Sequence, residues 1–162
     1  MEIEMRIKGL VIDPISKMPI VVLEEIEGDR MLPIWIGVFE ANAISLKMEN
    51  IPTPRPLTHD LIKNILHKLD ASIDKIVVNE VLDNTFYANI YCRCNNGKII
   101  KIDSRPSDAI ALSLRMDATI YIEEKIIEKA HSIKFDEKLE DSEKLKKWLE
   151  NLSPEDFGKY KM

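Results

Sequence analysis

Two segments of the chain combine an arginine, a proline, a hydroxyl group and a carboxylate at the predicted start of a helix. In residues 103–115, the polar run "DSRPSD" leads directly into the apolar run "AIALSL". Pro106 fits the first turn of a helix, where Ser107 and Asp108 can cap free amides. Capping does not explain Arg105, because a cation beside a helix N-terminus is unfavourable unless an anion lies between them. That anion is either a carboxylate of the protein or a phosphate held by the amides and the guanidinium.

The second segment, "RPLTHDL" at residues 55–61, repeats this chemistry. Arg55 is followed by a proline, the hydroxyl of Thr58 and the carboxylate of Asp60. Between the last two lies His59, and imidazole is the side chain that gains and loses a proton near neutral pH. We therefore predict one polar site in which His59 carries protons and four residues bind phosphate. The predicted phosphate ligands are Arg55, Thr58, Arg105 and Ser107.

Four carboxylates belong to these segments or to a similar helix start, namely Glu40, Asp60, Asp103 and Asp108. With His59 they form the predicted catalytic set, and they are also the predicted ligands of a divalent cation such as Mg²⁺ or Mn²⁺. Alternatively, the acids only oppose helix dipoles and pair with the arginines as structural salt bridges. The chain has no Walker loop, GxGxxG, GxSxG or HExxH motif, which removes the best support for several other enzyme classes.

The patterns around these segments predict an α+β domain. The stretch "IEMRIKGLVID" alternates like a strand, and "PIVVLEEIEGDRMLPIWIG" and "TFYANIYCRCNNGKIIKID" indicate hairpins. Helices are predicted at "FEANAISLKM", "THDLIKNILHKL" and "SDAIALSLRM". Hairpins exclude a purely parallel sheet, so we expect a largely antiparallel or mixed sheet with helices packed on it.

The helices that follow the two hairpins have matching sequences. At an offset of 68 residues, Glu40–Met48 falls on Asp108–Met116, so that an acid, alanines, a serine, a basic residue and a methionine coincide. We therefore predict internally duplicated βββα units at about residues 3–49 and 73–117. The predicted linking helix covers residues 57–69.

Composition places these units in one globular domain. The chain has 162 residues and a net charge of −5, which disfavours broad nonspecific binding of nucleic acid but permits a local basic site. We predict a domain at residues 1–133 and a charged helical tail at 134–162. No apolar run approaches the roughly 18 residues that span a membrane, so we expect no membrane association and a cytoplasmic location. Cys92 and Cys94 share one strand face and are predicted to be reduced thiols.

Several of these motifs, in this order, closely resemble the bifunctional nuclease domain family over roughly residues 3–131. They are "GLVID", "LPIWIGVFEANAI", "PRPLTHDLI", "FYANI" and "IDSRPSDAIALSLR". The resemblance implies an α+β domain that forms homo-oligomers, with cleavage of DNA and RNA in some members. The family's polar signature falls on Glu40, Arg55, Thr58, His59, Asp60, Asp103, Arg105, Ser107 and Asp108.

Two functions fit this sequence. The first is a nuclease-like phosphodiesterase that acts on DNA or RNA, in which a metal-bound water attacks phosphorus and His59 transfers a proton. The second is a non-catalytic binding or regulatory module whose arginine–aspartate pairs are structural salt bridges. The phosphodiesterase requires the polar residues to share one open cleft, whereas the non-catalytic module does not.

Overall fold

The computed structural model describes residues 1–133 and residue 151. Residues 1–133 form a seven-stranded sheet and four helices. In chain order the elements are β1 (Glu2–Ile12), β2 (Pro19–Glu25), β3 (Met31–Trp35), α1 (Val38–Met48), α2 (Thr58–Lys68), β4 (Ser72–Leu82), β5 (Thr85–Arg93), β6 (Ile99–Ser104), α3 (Pro106–Met116), β7 (Thr119–Glu123) and α4 (Glu124–Ile133).

The sheet has the strand order β3-β2-β1-β7-β4-β5-β6. Each half is an antiparallel three-stranded meander followed by a helix, β1-β2-β3-α1 and β4-β5-β6-α3. Helices α1 and α3 begin and end 68 residues apart, at the offset of the sequence match. β7 joins the halves because it pairs antiparallel with β1 and parallel with β4. The predicted α+β class with duplicated βββα units and a largely antiparallel sheet is confirmed.

Helix α3 is the central helix of the core. It contacts α1, α2, β4, β5 and β7, and its only side chains that are not buried are Asp108, Leu114 and Met116. Alanines on both helices, such as Ala41 and Ala109, have no exposed surface and let α1 and α3 approach closely. This packing fixes the starts of α1, α2 and α3 relative to the sheet, and those starts carry the predicted polar residues.

The two edges of the sheet differ. β3 has a buried centre, Leu32 to Ile34, which includes Pro33. β6 has no buried residue, and three of its isoleucines are exposed.

Some predictions fall outside this description or change in detail. The tail at 134–162 lies outside the described residues apart from residue 151, and the domain boundary at 133 stays a prediction. The linking helix begins at Thr58, and Leu57 is in the capping position. Within the described residues, no helix has the length and apolar character needed to cross a membrane.

Candidate functional site

An open cleft of about 910 Å³ lies between the starts of α1, α2 and α3 and the second half of the sheet. Its floor is apolar and is formed by Ile73, Ile90, Cys92 and Ile102 from β4, β5 and β6. Burial raises the pKa of the Cys92 thiol, so this floor also keeps its sulfur protonated. Apolar side chains of α2 and α3 complete the walls: Ile62, Leu66 and Leu112.

A chain of hydrogen bonds forms the polar end of the cleft. Nε2 of His59 lies 2.9 Å from Oδ1 of Asp108. The other oxygen of Asp108, Oδ2, accepts a hydrogen bond of 2.8 Å from Nε of Arg105. Nη2 of Arg105 then donates to Oε1 of Glu40 at 2.7 Å. The starts of α1, α2 and α3 are thus linked by one chain of hydrogen bonds, and all four residues line the cleft.

The local sequence explains how these four side chains meet. Arg105 has an extended backbone and occupies the capping position of α3, with Pro106 as the first helical residue. Asp108 comes two residues later and points its carboxylate outward to His59, in the first turn of α2. Glu40 has the equivalent position in α1, and its carboxylate folds so close to Gly37 that a Cβ there would lie 2.2 Å from Oε2. The glycine therefore leaves room for the Glu40 side chain over the helix start.

The Arg105 guanidinium is paired with two carboxylates of the protein and yet stays partly exposed. Glu40 and Asp108 bring two carboxylates to this one guanidinium. The hydrogen bonds that Arg105 donates, first to Asp108 and then to Glu40, raise the pKa of its guanidinium. The Arg105 side chain is nevertheless 65% exposed, which leaves part of the guanidinium open to a ligand.

Asp60 belongs to a different cluster and does not join the predicted catalytic set. Its Oδ1 accepts a hydrogen bond of 2.7 Å from Nε of Arg115, and its Oδ2 accepts the Leu57 amide at 3.0 Å. Arg115 also donates to the carbonyls of Ala111 and Ala43, at 2.9 and 3.0 Å. The Arg115 side chain is only 4% exposed. It therefore ties the start of α2 to α1 and α3, on the side of α2 away from the cleft.

The remaining predicted residues are divided between the cleft and its surroundings. Thr58 is exposed and lines the cleft. Asp103 also borders it, but strand alternation with Ile102 places the Asp103 side chain on the opposite face of the sheet. Ser107 is buried and is not part of the lining, and Arg55 is exposed just outside it. The sequence-based expectation that both hydroxyls and both arginines face one pocket is therefore met only by Thr58 and Arg105.

The predicted convergence of Glu40, Asp60, Asp103 and Asp108 on a metal ion is not found. Asp60 is held by Arg115 and Asp103 lies across the sheet, so only Glu40 and Asp108 remain close together. Arg105 occupies the space between these two carboxylates. Within residues 1–133 and 151, no three His, Cys, Asp or Glu side chains form a group that could hold a metal.

Three features of the structure are absent from the sequence-based set: Arg115, which lies outside the cleft, the apolar floor of the cleft, and Phe39. Arg115 was matched only with Lys47 of the repeat, and its sequence signal is a charged residue within the apolar run of α3. The apolar floor gave no signal, because its residues come from three strands that are far apart in sequence. Phe39, beside Glu40, lines the cleft and is 80% exposed.

Comparisons with known proteins identify the family of this chain. The sequence profile of the Bifunctional nuclease domain matches residues 21–134. An uncharacterized protein of Mycobacterium tuberculosis is 37% identical over 163 residues, which cover 95% of this chain and 97% of that protein. Bifunctional nuclease 1 of Oryza sativa subsp. japonica is 25% identical over 109 residues, which cover 66% of this chain but 33% of the plant protein. The match includes all four residues of the polar end of the cleft, and the chain belongs to the bifunctional nuclease domain family.

Proposed function

We propose that this chain is a phosphodiesterase that hydrolyses DNA, RNA or both in the cleft. One observation carries the proposal: His59, Asp108 and Arg105 form a continuous hydrogen-bonded chain at the polar end of an open cleft. A proton carrier, the carboxylate that orients it and a cation for phosphate are thus within reach of one bound group. The names of the plant relatives support the same class of reaction.

Each of these groups has a proposed role. The carboxylate of Asp108 accepts a hydrogen bond from Nε2 of His59, which leaves Nδ1 free to take a proton. His59 removes that proton from the attacking water as the new bond to phosphorus forms. The old ester bond then breaks, and the leaving oxygen takes a proton from solvent or from the imidazolium. Arg105 pairs with the phosphate, and Glu40 holds the guanidinium in position. Thr58 and the free amides at the start of α2 contribute further donors.

The apolar floor favours an unpaired nucleotide as substrate. A base can lie against Ile90, Cys92 and Ile102 only if it leaves the stacked interior of a duplex. We therefore expect single-stranded nucleic acid, or a loop or end, to be cleaved faster than a duplex. A cytoplasmic location and a homo-oligomeric state remain expectations from the sequence.

The predicted Mg²⁺ or Mn²⁺ does not fit the four-carboxylate set, so no step above passes through a metal. Of the carboxylates at the polar end, Glu40 and Asp108 are both already paired with Arg105. Whether cleavage requires a metal ion is tested by comparing the rate in EDTA with the rate after Mg²⁺ or Mn²⁺ is added back.

The proposal is tested with His59→Ala and Asp108→Asn. Loss of a positioned proton carrier commonly lowers a rate by about 10²–10⁴-fold, so we expect losses of that order in cleavage of single-stranded DNA and RNA. The matched control is His67→Ala, because His67 is an exposed histidine of the same helix and does not line the cleft. Cleavage that is equal in all three variants and the unmodified protein would assign the activity to another site or to a contaminant.

A non-catalytic binding or regulatory module is the second candidate. It is favoured by the pairing of Arg105 with two carboxylates and of Arg115 with Asp60, which gives each guanidinium an internal partner. This candidate predicts that Arg105→Ala lowers the melting temperature without any dependence on ligand. The phosphodiesterase instead predicts that Arg105→Ala lowers activity more than stability, and that oligonucleotides raise the melting temperature of the unmodified protein only.

A further inference from the structure

Strand β6 presents an open, apolar edge. It pairs with β5 on one side, and among residues 1–133 no strand pairs with its other side. Ile99, Ile100 and Ile102 are exposed by 46%, 37% and 40%. An edge with unpaired backbone groups and exposed isoleucines is a surface on which another strand can add.

The opposite edge strand, β3, is less suited to pairing with another strand. In β3, Pro33 lacks an amide hydrogen, and Leu32 and Ile34 beside it are buried. Proline at an edge strand is a common obstacle to further strand pairing. The six residues of β6 include no proline, so every one of them carries a backbone donor and acceptor. Of the two equivalent edges of the repeat, only β6 is therefore equipped to continue the sheet.

The sequence of β6 is complementary to itself. When two copies run antiparallel about a two-fold axis at Ile102, Lys101 of each copy lies opposite Asp103 of the other. Ile102 then lies opposite its own copy, and Ile100 opposite Ser104. We propose that β6 pairs in this register with β6 of a second copy of this chain, which joins two seven-stranded sheets into one.

Neighbouring registers are less favourable. An axis at Lys101 would place two lysines opposite each other, and an axis at Asp103 would do the same with two aspartates. An axis at Ile100 avoids like charges but leaves Lys101 opposite Ile99. Of the axes at residues 100–103, only the one at Ile102 forms two pairs of opposite charge, so charge selects this register among them.

The pairing has a consequence for the cleft. A two-fold axis perpendicular to the sheet keeps equivalent faces on the same side, so both clefts open on one face of the joined sheet. Ile102, Asp103 and Ser104 belong to the cleft lining as well as to the paired strand. Each cleft would therefore lie directly beside the interface, although the inference does not depend on what the cleft binds.

The experiment is a charge exchange read by analytical ultracentrifugation of the full chain at several concentrations. Lys101→Asp and Asp103→Lys each place like charges opposite one another, and we expect each to raise the dimer Kd by about tenfold or more. The double variant exchanges the charges and is expected to restore the Kd close to that of the unmodified protein. Lys98→Asp is the matched control, because Lys98 is exposed, changes charge by the same amount and lies outside β6.

A dimer that weakens in both single variants, recovers in the double variant and is unchanged in the control would establish the interface. The single-variant effects should also shrink at high salt, because exposed charges are screened. An unmodified protein that stays monomeric at its highest soluble concentration would overturn the proposal. So would a dimer that all four variants leave unchanged, since it would use another surface. Circular dichroism of each variant shows that a lost dimer is not a lost fold.

Discussion

At the residue scale, the arginines at the two ends of α3 differ in exposure to solvent. Arg105 stands at the helix start with its side chain 65% exposed, whereas Arg115 lies in the last turn and is 4% exposed. Arg115 satisfies Asp60 and two backbone carbonyls, from Ala43 and Ala111. The first arginine can meet a ligand, and the second can only hold the protein together.

This difference in exposure predicts that removing each arginine side chain lowers the free energy of unfolding by a different amount. We expect Arg115→Ala to lower the free energy of unfolding by about 2–3 kcal/mol, because it leaves a carboxylate and two carbonyls without their donor. Arg105→Ala should cost below about 1 kcal/mol, as is usual for exposed ion pairs. Urea denaturation of both variants measures the difference. Equal losses would contradict the assignment of Arg115 as the buried link between the helices.

The Asp60 carboxyl predicts a dependence of stability on pH. Burial acts to raise its pKa, but the Leu57 amide and the Arg115 guanidinium outweigh burial and hold the pKa below its ordinary value of 3.8. A carboxyl whose pKa is lower in the folded protein contributes stability above its unfolded pKa and loses it as the pH falls through the folded pKa. The stability advantage of the unmodified protein over Asp60→Asn should therefore be constant near neutral pH and shrink below about pH 4.

The matched control repeats this comparison in an Arg115→Met background. Removing the guanidinium takes away one of the groups that lower the pKa of Asp60. The pH-dependent part of the stability difference that Asp60→Asn makes should therefore become smaller. An advantage that grows as the pH falls would contradict the lowered pKa.

At the element scale, α2 has two apolar sides with different roles. Ile62 and Leu66 line the cleft and pack on the core, whereas Leu61, Ile65 and Leu69 are exposed. Only the side that meets α3 and the cleft contributes to the packing of the described residues.

This difference predicts unequal effects of the same substitution. Ile62→Ala should lower the free energy of unfolding by about 1–2 kcal/mol, because its methyl groups are partly buried against the core. Ile65→Ala, the matched control on the same helix, should change it by less than about 0.5 kcal/mol. Thermal and urea unfolding of both variants, at a concentration where the protein is monomeric, provides the measurement. A reversed order would mean that α2 is rotated about its axis.

The sequence is enough to predict the helices and strands. It is not enough to predict which side of each helix packs against its neighbours. The hairpin turn at Gly97 was predictable because asparagine and glycine tolerate positive φ, and Gly97 has φ +82°. The equivalence of Glu40 and Asp108 followed from the repeat. The separation of Asp60 from His59 was not predictable, because adjacent helical residues point about 100° apart and only the partner helix decides which side is buried.

At the scale of the whole molecule, β7 makes one sheet from two repeated units. Ile122 has no exposed surface and lies opposite Ile3 of β1 and Val78 of β4. Each unit is a three-stranded meander with one helix, and β7 provides the backbone pairing between their inner strands. The units should therefore unfold together.

Weakening β7 tests this coupling. Ile122→Ala should lower the free energy of unfolding by about 2–4 kcal/mol and speed hydrogen exchange at core amides of both units equally. Exchange of β2 and β5 amides, such as those of Val21 and Ile90, gives the comparison, because these strands do not touch β7. Faster exchange in only one unit would show that the halves are separate cooperative units.

The connection between α1 and α2 has a further consequence for how the chain can be divided. It is exposed at Ile51 and Pro52. The first unit is also held by the pairing of β1 with β7, by the packing of α1 on α3, and by contacts of β3 with α4. A backbone cut there would yield one fragment that supplies Glu40 and another that supplies His59, Arg105 and Asp108. The chain is thus naturally suited to splitting into two complementing pieces, whose reassembly would rebuild the polar end of the cleft from separate polypeptides.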